Sequence, residues 1–194
     1  MRSTRIGITK VTYKYVTFFF IYILKIIVML TLFIISCIIF FGYNIFIISK
    51  FGVPESLSDS FYLLNDIKKG LGYVFSIVLF SSVFTLLPVF MSVDSNTTFD
   101  FLKFFCAALL TFVGAAPAFK GIDKDFHFKF AILCAVSGFL WIILATPYWY
   151  VLLISAILMI ITMLLTNTKY ALVYWLEMIM FTSVYSVVAL YTIL

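Results

Sequence analysis

The sequence has little charge and few of the residues on which catalytic and metal sites usually depend. Only 11% of its 194 residues are charged, and it contains a single histidine. Its three cysteines, Cys37, Cys106 and Cys134, lie in apolar runs without CxxC spacing, which excludes a zinc ribbon and a thiol–disulfide motif. We interpret them as small core hydrophobes. The sequence also lacks a glycine-rich phosphate loop, a GxSxG elbow and an HExxH motif.

Apolar residues are abundant instead. They make up 65% of the chain, against roughly 45–50% in soluble domains, so the sequence is not that of a soluble globular domain. At roughly 20 residues per membrane-spanning helix, the chain holds enough apolar residues for about six spans. The net charge of +5 is scattered over loops and forms no basic face, so no nucleic-acid partner is expected.

We predict an all-α fold, a single integral membrane domain over 1–194 built as a bundle of six transmembrane helices. A basic tail, 1–14, precedes an apolar run that is too long for a signal peptide and has no cleavage site, so an uncleaved anchor is expected. Lys25 divides this run, and 15–25 should extend the first helix at the interface, with Lys25 reaching the headgroups. The spans are predicted at about 26–48, 71–92, 101–119, 130–146, 148–166 and 170–194.

The polar segment between the first two spans carries a helix signature. Pro54 stops the preceding helix, and Ser56 with Asp59 fits the S-x-x-[DE] capping box, so a short helix is predicted over 56–67. Its apolar residues recur at i, i+4 and i+7, which predicts an amphipathic helix lying in the membrane surface. These residues are Leu57, Phe61 and Leu64.

Six spans place loops 1, 3 and 5 on one side of the membrane, here called the odd-loop face. These loops are 50–70, 120–129 and 167–169. The positive-inside rule gives conflicting orientations, because four basic residues lie in the N-terminal tail and seven in the odd loops. Since the first span usually dominates, we expect a multi-pass protein of the cytoplasmic (inner) membrane with both termini cytoplasmic.

Loop 3 contains the histidine, His127, with Asp123 at i−4 and Asp125 at i−2. On a helix, Asp123 and His127 would share a face. A catalytic zinc site normally takes three protein ligands, and no second histidine is present, so neither a metal nor another cofactor is expected. The alternatives are a His–Asp pair that fixes loop 3, a ligand-binding role, or a proton relay with Glu177.

Glu177 is the single acidic residue well inside a predicted span. At 1.5 Å per residue it lies roughly 10 Å in from the odd-loop face. A carboxylate at that depth must face the bundle interior, be protonated or be paired. Tyr174 and Tyr185 share its helix face. Glu177 marks either a functional cavity or a structural hydrogen bond between helices.

The third span is rich in small residues, with small-xxx-small spacings at 107/111, 111/115 and 114/118. Such helices pack closely. We expect this span to be the central strut of the bundle, with a homodimer through the same stripe as the alternative.

Three blocks carry a family resemblance: PESLSDSFY at 54–62, FVGAAPAFK at 112–120, and His127 at the start of the fourth span. Together they resemble an uncharacterised family of small polytopic membrane proteins from bacteria and their phages. That family has a PxSxSxTYY-like first loop and a VGAAPxFK…VH pattern. The likeness covers about 50–145, and Ser60-Phe61 stands where Thr-Tyr is more usual. The resemblance implies organisation but no activity.

A second similarity is to the alkaline-ceramidase and adiponectin-receptor class of seven-span hydrolases, which place a serine, an aspartate and three histidines around zinc. Ser56 or Ser58, Asp123 or Asp125, and His127 each match one position. Two histidines and one span of that pattern are missing here, which removes most of the metal site.

The function expected from these observations is that of a non-enzymatic binding or modulatory module acting through the odd-loop face. Its partners would be a small molecule, a lipid or a membrane protein. The candidate ligand-binding residues are Ser56, Ser58, Asp59, Asp125, His127, Tyr174 and Glu177. One alternative is a lipid or amide hydrolase of reduced ceramidase-like type, with His127, Asp123 and Glu177 as catalytic candidates. Another is a proton-coupled carrier that uses Glu177.

Overall fold

The computed structural model describes the backbone of residues 3–93, 95, 97–115 and 124–193, and the side chains of 15, 17–93, 95, 97–115 and 129–192. All regular structure in these ranges is helical, which confirms the all-α prediction. Short 3₁₀ turns at Thr98–Asp100 and Lys169–Ala171 precede the fourth and seventh helices. The helices are α1 Ser3–Phe51, α2 Asp59–Ile67, α3 Tyr73–Ser92, α4 Phe101–Ala115, α5 Lys124–Ala145, α6 Tyr150–Leu165 and α7 Leu172–Ile193.

Four segments within the described ranges are long and apolar enough to cross a membrane. They are Thr17–Phe51, Tyr73–Ser92, Thr98–Ala115 and Lys169–Thr192. The apolar parts of α5 and α6, Lys129–Ala145 and Tyr150–Leu165, are shorter. Several long apolar helices are what a membrane-embedded protein requires, because only helices and closed barrels satisfy their backbone hydrogen bonds in lipid.

Helix α1 is continuous from Ser3 to Phe51, so the stretch 15–25 extends the first helix as predicted. All described side chains from Tyr15 to Val28 are exposed, and partial burial begins at Met29. Ser36 is the first of the described side chains of α1 that is completely buried. The stretch 15–28 therefore projects from the bundle, and Lys25 lies close to the point where packing begins.

The contacts of α1 with α7 show that these helices run antiparallel. Ser36 contacts Tyr185, Phe40 contacts Phe181, and Asn44 contacts Tyr174. As the residue number rises along α1 it therefore falls along α7. The start of α7 consequently lies beside the end of α1, where loop 1 begins.

Helices α4 and α5 are antiparallel by the same criterion. Asp100 contacts Trp141, Cys106 contacts Cys134, and the rings of Phe112 and Phe130 stack with centroids 5.0 Å apart. In the small-residue stripe of α4, a Cβ added at Gly114 would lie 3.2 Å from the Leu79 Cβ on α3. Gly114 thus serves packing within the chain, while Ala116, Pro117 and Ala118 lie outside the described residues.

The loop-1 helix is present but shorter than predicted, beginning at Asp59 instead of residue 56. Its apolar stripe is buried against the rest of the protein: Leu57, Phe61 and Leu64 are 5%, 4% and 1% exposed. The stripe therefore packs into the protein core and is not available to contact lipid. An amphipathic pattern has the same periodicity in both cases, because burial against protein and burial in the membrane surface select the same spacing.

Candidate functional site

The segment 53–57 connects the end of α1 to α2 and lies along the first turns of α7. Gly52 has a φ of +81°, a left-handed conformation that glycine adopts without strain. Its N–H donates to the Ile48 carbonyl at 2.9 Å, which closes the last turn of α1. The chain then turns back onto α7.

Three hydrogen bonds join alternate residues of the 53–57 segment to one face of α7 and the turn before it. The positions on the α7 side are spaced at i, i+4 and i+7, which places them in a row on one helix face. The bonds are Tyr170 hydroxyl to Val53 carbonyl at 3.2 Å, Tyr174 N–H to Glu55 carbonyl at 3.0 Å, and Leu57 N–H to Glu177 Oε2 at 2.7 Å.

The bond from the Tyr174 N–H also caps α7. The first four N–H groups of a helix have no partner within the helix, and Tyr174 is the third residue of α7. The Glu55 carbonyl accepts the hydrogen bond from this amide. Loop 1 therefore supplies an acceptor that the N-terminus of α7 requires.

The two backbone groups of Leu57 link α7 to α2, and Ser60 extends this link to α1. Its N–H donates to Glu177 on α7, and its carbonyl accepts from the Ser60 hydroxyl of α2 at 2.6 Å. Ser60 in turn accepts a hydrogen bond from the Tyr43 hydroxyl of α1 at 2.7 Å. Because Ser60 is almost fully buried, this relay fixes the position of α2 relative to α1 and α7.

One bond of the capping box predicted in loop 1 is present, but α2 begins only at Asp59, and its N-cap residue, Ser58, makes no side-chain cap hydrogen bond. The Ser56 hydroxyl accepts from the Asp59 N–H at 3.3 Å, and the two hydroxyls of Ser56 and Ser58 lie 3.0 Å apart. The backbone N–H groups of Ser56 and Glu55 lie near the Asp59 carboxyl. Burial raises the pKa of Asp59, the nearby Glu55 carboxylate raises it further, and the two N–H donors act in the opposite direction.

Glu177 is partly buried at the base of this loop, and Asp59 lies within electrostatic range of it. Among the described residues, the Leu57 amide is its hydrogen-bond donor. The carboxyl thus faces protein, as its depth in the span led us to expect. The structure brings Ser56, Ser58 and Asp59 close to Glu177, so four candidate residues from two distant parts of the sequence lie in one region.

Two tyrosines named from the sequence lie in the core. Tyr174 is 1% exposed, and its hydroxyl donates to Asn44 Oδ1 at 3.3 Å. The Tyr185 hydroxyl lies 2.6 Å from the Ser36 Oγ, and Ser36 also donates to the Ser82 carbonyl at 2.9 Å. Their hydroxyls therefore join α1, α3 and α7, and the site at the odd-loop face uses the backbone N–H of Tyr174.

The loop-3 candidates lie at or beyond the edge of the described residues. Asp123 lies outside them, while Asp125 and His127 lie on the first turn of α5, where the structure describes the backbone and not the side chains. Their proposed pairing and ligand-binding roles stay predictions. Among the side chains that are described, no group of three His, Cys, Asp or Glu residues could hold a metal.

A second polar cluster lies at the opposite end of the bundle. Lys103 is 6% exposed and forms an ion pair of 2.6 Å with Asp100. Its ammonium also donates to the Val93 carbonyl at the C-terminus of α3, where a cation is favoured by the helix dipole. Asp100 Oδ1 accepts from Ser95 at 2.5 Å. Sequence reasoning missed this cluster, although the i, i+3 spacing of Asp100 and Lys103 was visible in the sequence.

No family model matches the chain, and neither a curated protein nor a solved structure matches it significantly.

Proposed function

We propose that the chain is a six-span protein of the cytoplasmic membrane and a non-enzymatic binding module, whose odd-loop face recognises a polar ligand. The ligand would be a small molecule, a lipid headgroup or a segment of another membrane protein. The observation that carries this proposal is the attachment of the 53–57 segment to α7, which places the loop-1 hydroxyls and Asp59 around the Leu57–Glu177 hydrogen bond.

Six crossings are supported by the way the helices meet. Loop 1 contacts the start of α7, and the Tyr148 ring before α6 contacts Tyr191 near the end of α7 at 5.1 Å. Alternating helix directions produce these two sets of contacts at opposite ends of α7. Helices α5 and α6 would then cross as the shorter members of the bundle, and both termini would lie on one side.

A binding role is favoured by the way loop 1 is held. Three hydrogen bonds hold the segment 53–57 against α7 and the turn before it, while the hydroxyl and carboxyl groups of Ser56, Ser58 and Asp59 are only partly buried. Polar groups on a loop positioned by a rigid helical scaffold are a usual arrangement for recognition. The roles of these three residues and Glu177 as ligand contacts are part of the proposal.

Native mass spectrometry of the protein released from its membrane in mild detergent tests this function. We expect the wild-type protein to retain a non-covalent adduct that is absent from Ser58→Ala and Glu177→Ala. Thr97→Ala, an exposed residue at the opposite end of the bundle, should keep the adduct. A wild-type spectrum with no adduct, or an adduct that all variants keep, would contradict the proposal.

A proton-coupled carrier is the second candidate, and the polar groups spaced along α7 favour it. From the odd-loop face inward they are Tyr174 with Asn44, then Glu177, then Tyr185 with Ser36. Such a series inside a span is typical of proton pathways. In proteoliposomes with an imposed pH gradient, a carrier would show proton flux in the wild type and lose it in Glu177→Gln, whereas a binding module would show none in either.

The hydrolase alternative depends on Asp123 and His127 together with Glu177. Since the side chains of the first two lie outside the described residues, it stays a prediction that no contact in the structure favours.

A further inference from the structure

Three sulfur-containing side chains meet where α4, α5 and α7 pack together. Cys106, Cys134 and Met180 are 4%, 1% and 3% exposed. The Sγ atoms of the two cysteines lie 4.0 Å apart, and the Cys134 thiol donates to the Cys106 carbonyl at 3.4 Å. This separation is about twice the S–S bond length, so the two cysteines are free thiols that face each other.

Gly138 on α5 allows the third sulfur to approach. A Cβ at this position would lie 3.3 Å from the Cys106 Sγ and 3.4 Å from the Met180 Sδ. Both sulfur atoms therefore border the same point on α5, one from α4 and one from α7. A larger residue than glycine would push one of these helices away and separate the sulfur atoms.

A cavity of about 30 Å³ is bordered by two of the three sulfur-containing side chains, Cys106 and Met180, and also by Ser82 and Tyr185. A cavity of ~10–15 Å³ measured in this way can already hold one water, so this space gives the Cys106 and Met180 side chains room to move. Ser82 is 3% exposed, and its Oγ has no hydrogen-bond partner among the described residues. Empty space and one unpaired hydroxyl thus lie on the side of Cys106 and Met180.

The spacing of the two thiols suits a shared metal ion. With metal–thiolate bonds of about 2.3 Å, two sulfur atoms 4.0 Å apart subtend an angle of roughly 120° at the ion. This is the angle of a trigonal site, and it leaves one position for a third ligand. The Met180 thioether, which borders Gly138 together with the Cys106 Sγ, is the neighbouring sulfur that would fill it.

The chemistry of the three ligands selects the ion. Thiolate and thioether sulfur are soft donors that favour Cu(I). A structural zinc site needs four donors, and the described residues include no group of three His, Cys, Asp or Glu side chains that could hold a metal. We propose that the chain binds one Cu(I) ion between Cys106 and Cys134, with Met180 as the third ligand.

Binding of the ion limits the charge that the two cysteines place inside the bundle. When Cu(I) forms bonds to both cysteine sulfur atoms, the two thiols release their protons to the buffer, because metal ligands must be deprotonated. Cu(I) with two thiolates and one thioether carries a net charge of −1, whereas the two thiolates would carry −2 without the ion. A smaller net charge limits the cost of the site in an apolar interior.

Copper content of the purified full-length protein tests the proposal. The detergent-solubilised protein is incubated without oxygen with Cu(I) and ascorbate, passed over a desalting column in bathocuproine disulfonate, and analysed for copper and protein. We expect about one copper per chain in the wild type and less than roughly a tenth of that in Cys106→Ser and in Cys134→Ser. Met180→Leu should weaken retention at least about tenfold in competition with the chelator.

Cys37→Ser is the matched control, because Cys37 lies on α1 and is only partly buried, away from the other two thiols. It should bind copper like the wild type. X-ray absorption of the copper-loaded wild type gives a second measurement that does not depend on how the variants fold. Sulfur neighbours at about 2.3 Å are expected. Oxygen or nitrogen neighbours only, a wild type without copper, or full retention in the Cys106→Ser/Cys134→Ser double variant would each overturn the proposal.

Discussion

Replacement of Glu177 by alanine should release loop 1 from α7. The Leu57 N–H donates to Glu177 at 2.7 Å, and Leu57 is 5% exposed, so the variant leaves a buried donor without an acceptor. Such a loss costs about 1–3 kcal/mol, which corresponds to a roughly 5- to 150-fold increase in the population of the open loop. Glu177→Gln keeps a carbonyl oxygen at the same position and should have a smaller effect.

Hydrogen exchange followed by mass spectrometry, with the protein in lipid nanodiscs, measures this opening directly. Amides exchange through local opening, so the peptide that contains Leu57 should exchange faster in Glu177→Ala by about the factor just given. Glu55→Gln is the matched control. The Glu55 side chain is exposed, and its backbone carbonyl makes the contact with Tyr174, so loop attachment should not change.

The same experiment distinguishes local release from general unfolding. In Glu177→Ala, exchange should rise in the 53–61 region and at the start of α7, while the core of α3 keeps its protection. If the Leu57 peptide exchanges at the wild-type rate in Glu177→Ala, the hydrogen bond does not hold the loop and the reasoning is refuted.

Two further predictions concern the charged groups outside this contact. Because Asp59 has a raised pKa when folded, its contribution to stability is present below about pH 4 and is lost as the pH rises through the folded value. Protection of α2, corrected for intrinsic exchange, should thus fall as the pH rises above about 4 in the wild type and change less in Asp59→Asn. At the other end of the bundle, Asp100→Asn leaves the Lys103 ammonium without its ion-pair partner. Asp100→Asn should lower the free energy of unfolding by about 2–3 kcal/mol and lower the Tm more than Lys103→Met does. Lys103→Met leaves the Asp100 carboxylate unpaired, but this group is partly exposed to water, so its loss of a partner costs less. An equal fall in Tm in the two variants would contradict this.

Features that depend on neighbouring residues could be predicted from the sequence. The Asp59 N–H donates to the Ser56 hydroxyl as the capping box predicts, because both partners lie within one turn of the chain, although α2 itself begins three residues later than predicted. The continuation of α1 through Lys25 follows in the same way from an unbroken apolar run. Burial of Cys106 and Cys134 agrees with the usual behaviour of cysteine in apolar segments.

The contacts of Glu177 could not be predicted, because its donor lies 120 residues away in the sequence. Its depth in a span indicated that it needs a partner, but several loops and helices could have supplied one. The surroundings of the apolar stripe at α2 could not be predicted either. The spacing of Leu57, Phe61 and Leu64 predicts a buried stripe, and whether protein or lipid covers that stripe depends on tertiary packing, which places it against the protein.

The lengths of the helices have a consequence for the surrounding lipid. The apolar stretch Thr17–Phe51 has 35 residues and is about 52 Å long at 1.5 Å per residue. The hydrocarbon core of a bilayer is about 30 Å thick. Even at a tilt of about 40°, the upper end of the observed range, this stretch would still extend over roughly 40 Å along the bilayer normal.

Helix α6 presents the opposite mismatch. It has 16 residues, about 24 Å, and aliphatic side chains that include Leu153, Ile157 and Leu158 are exposed along it. In the proposed six-span arrangement, the hydrophobic belt is therefore tall beside α1 and short beside α6. Lipids next to α6 must thin while those next to α1 thicken or leave its N-terminal part among the headgroups. The protein would thus deform its bilayer unevenly, and it should favour neighbours or membrane regions that reduce that deformation.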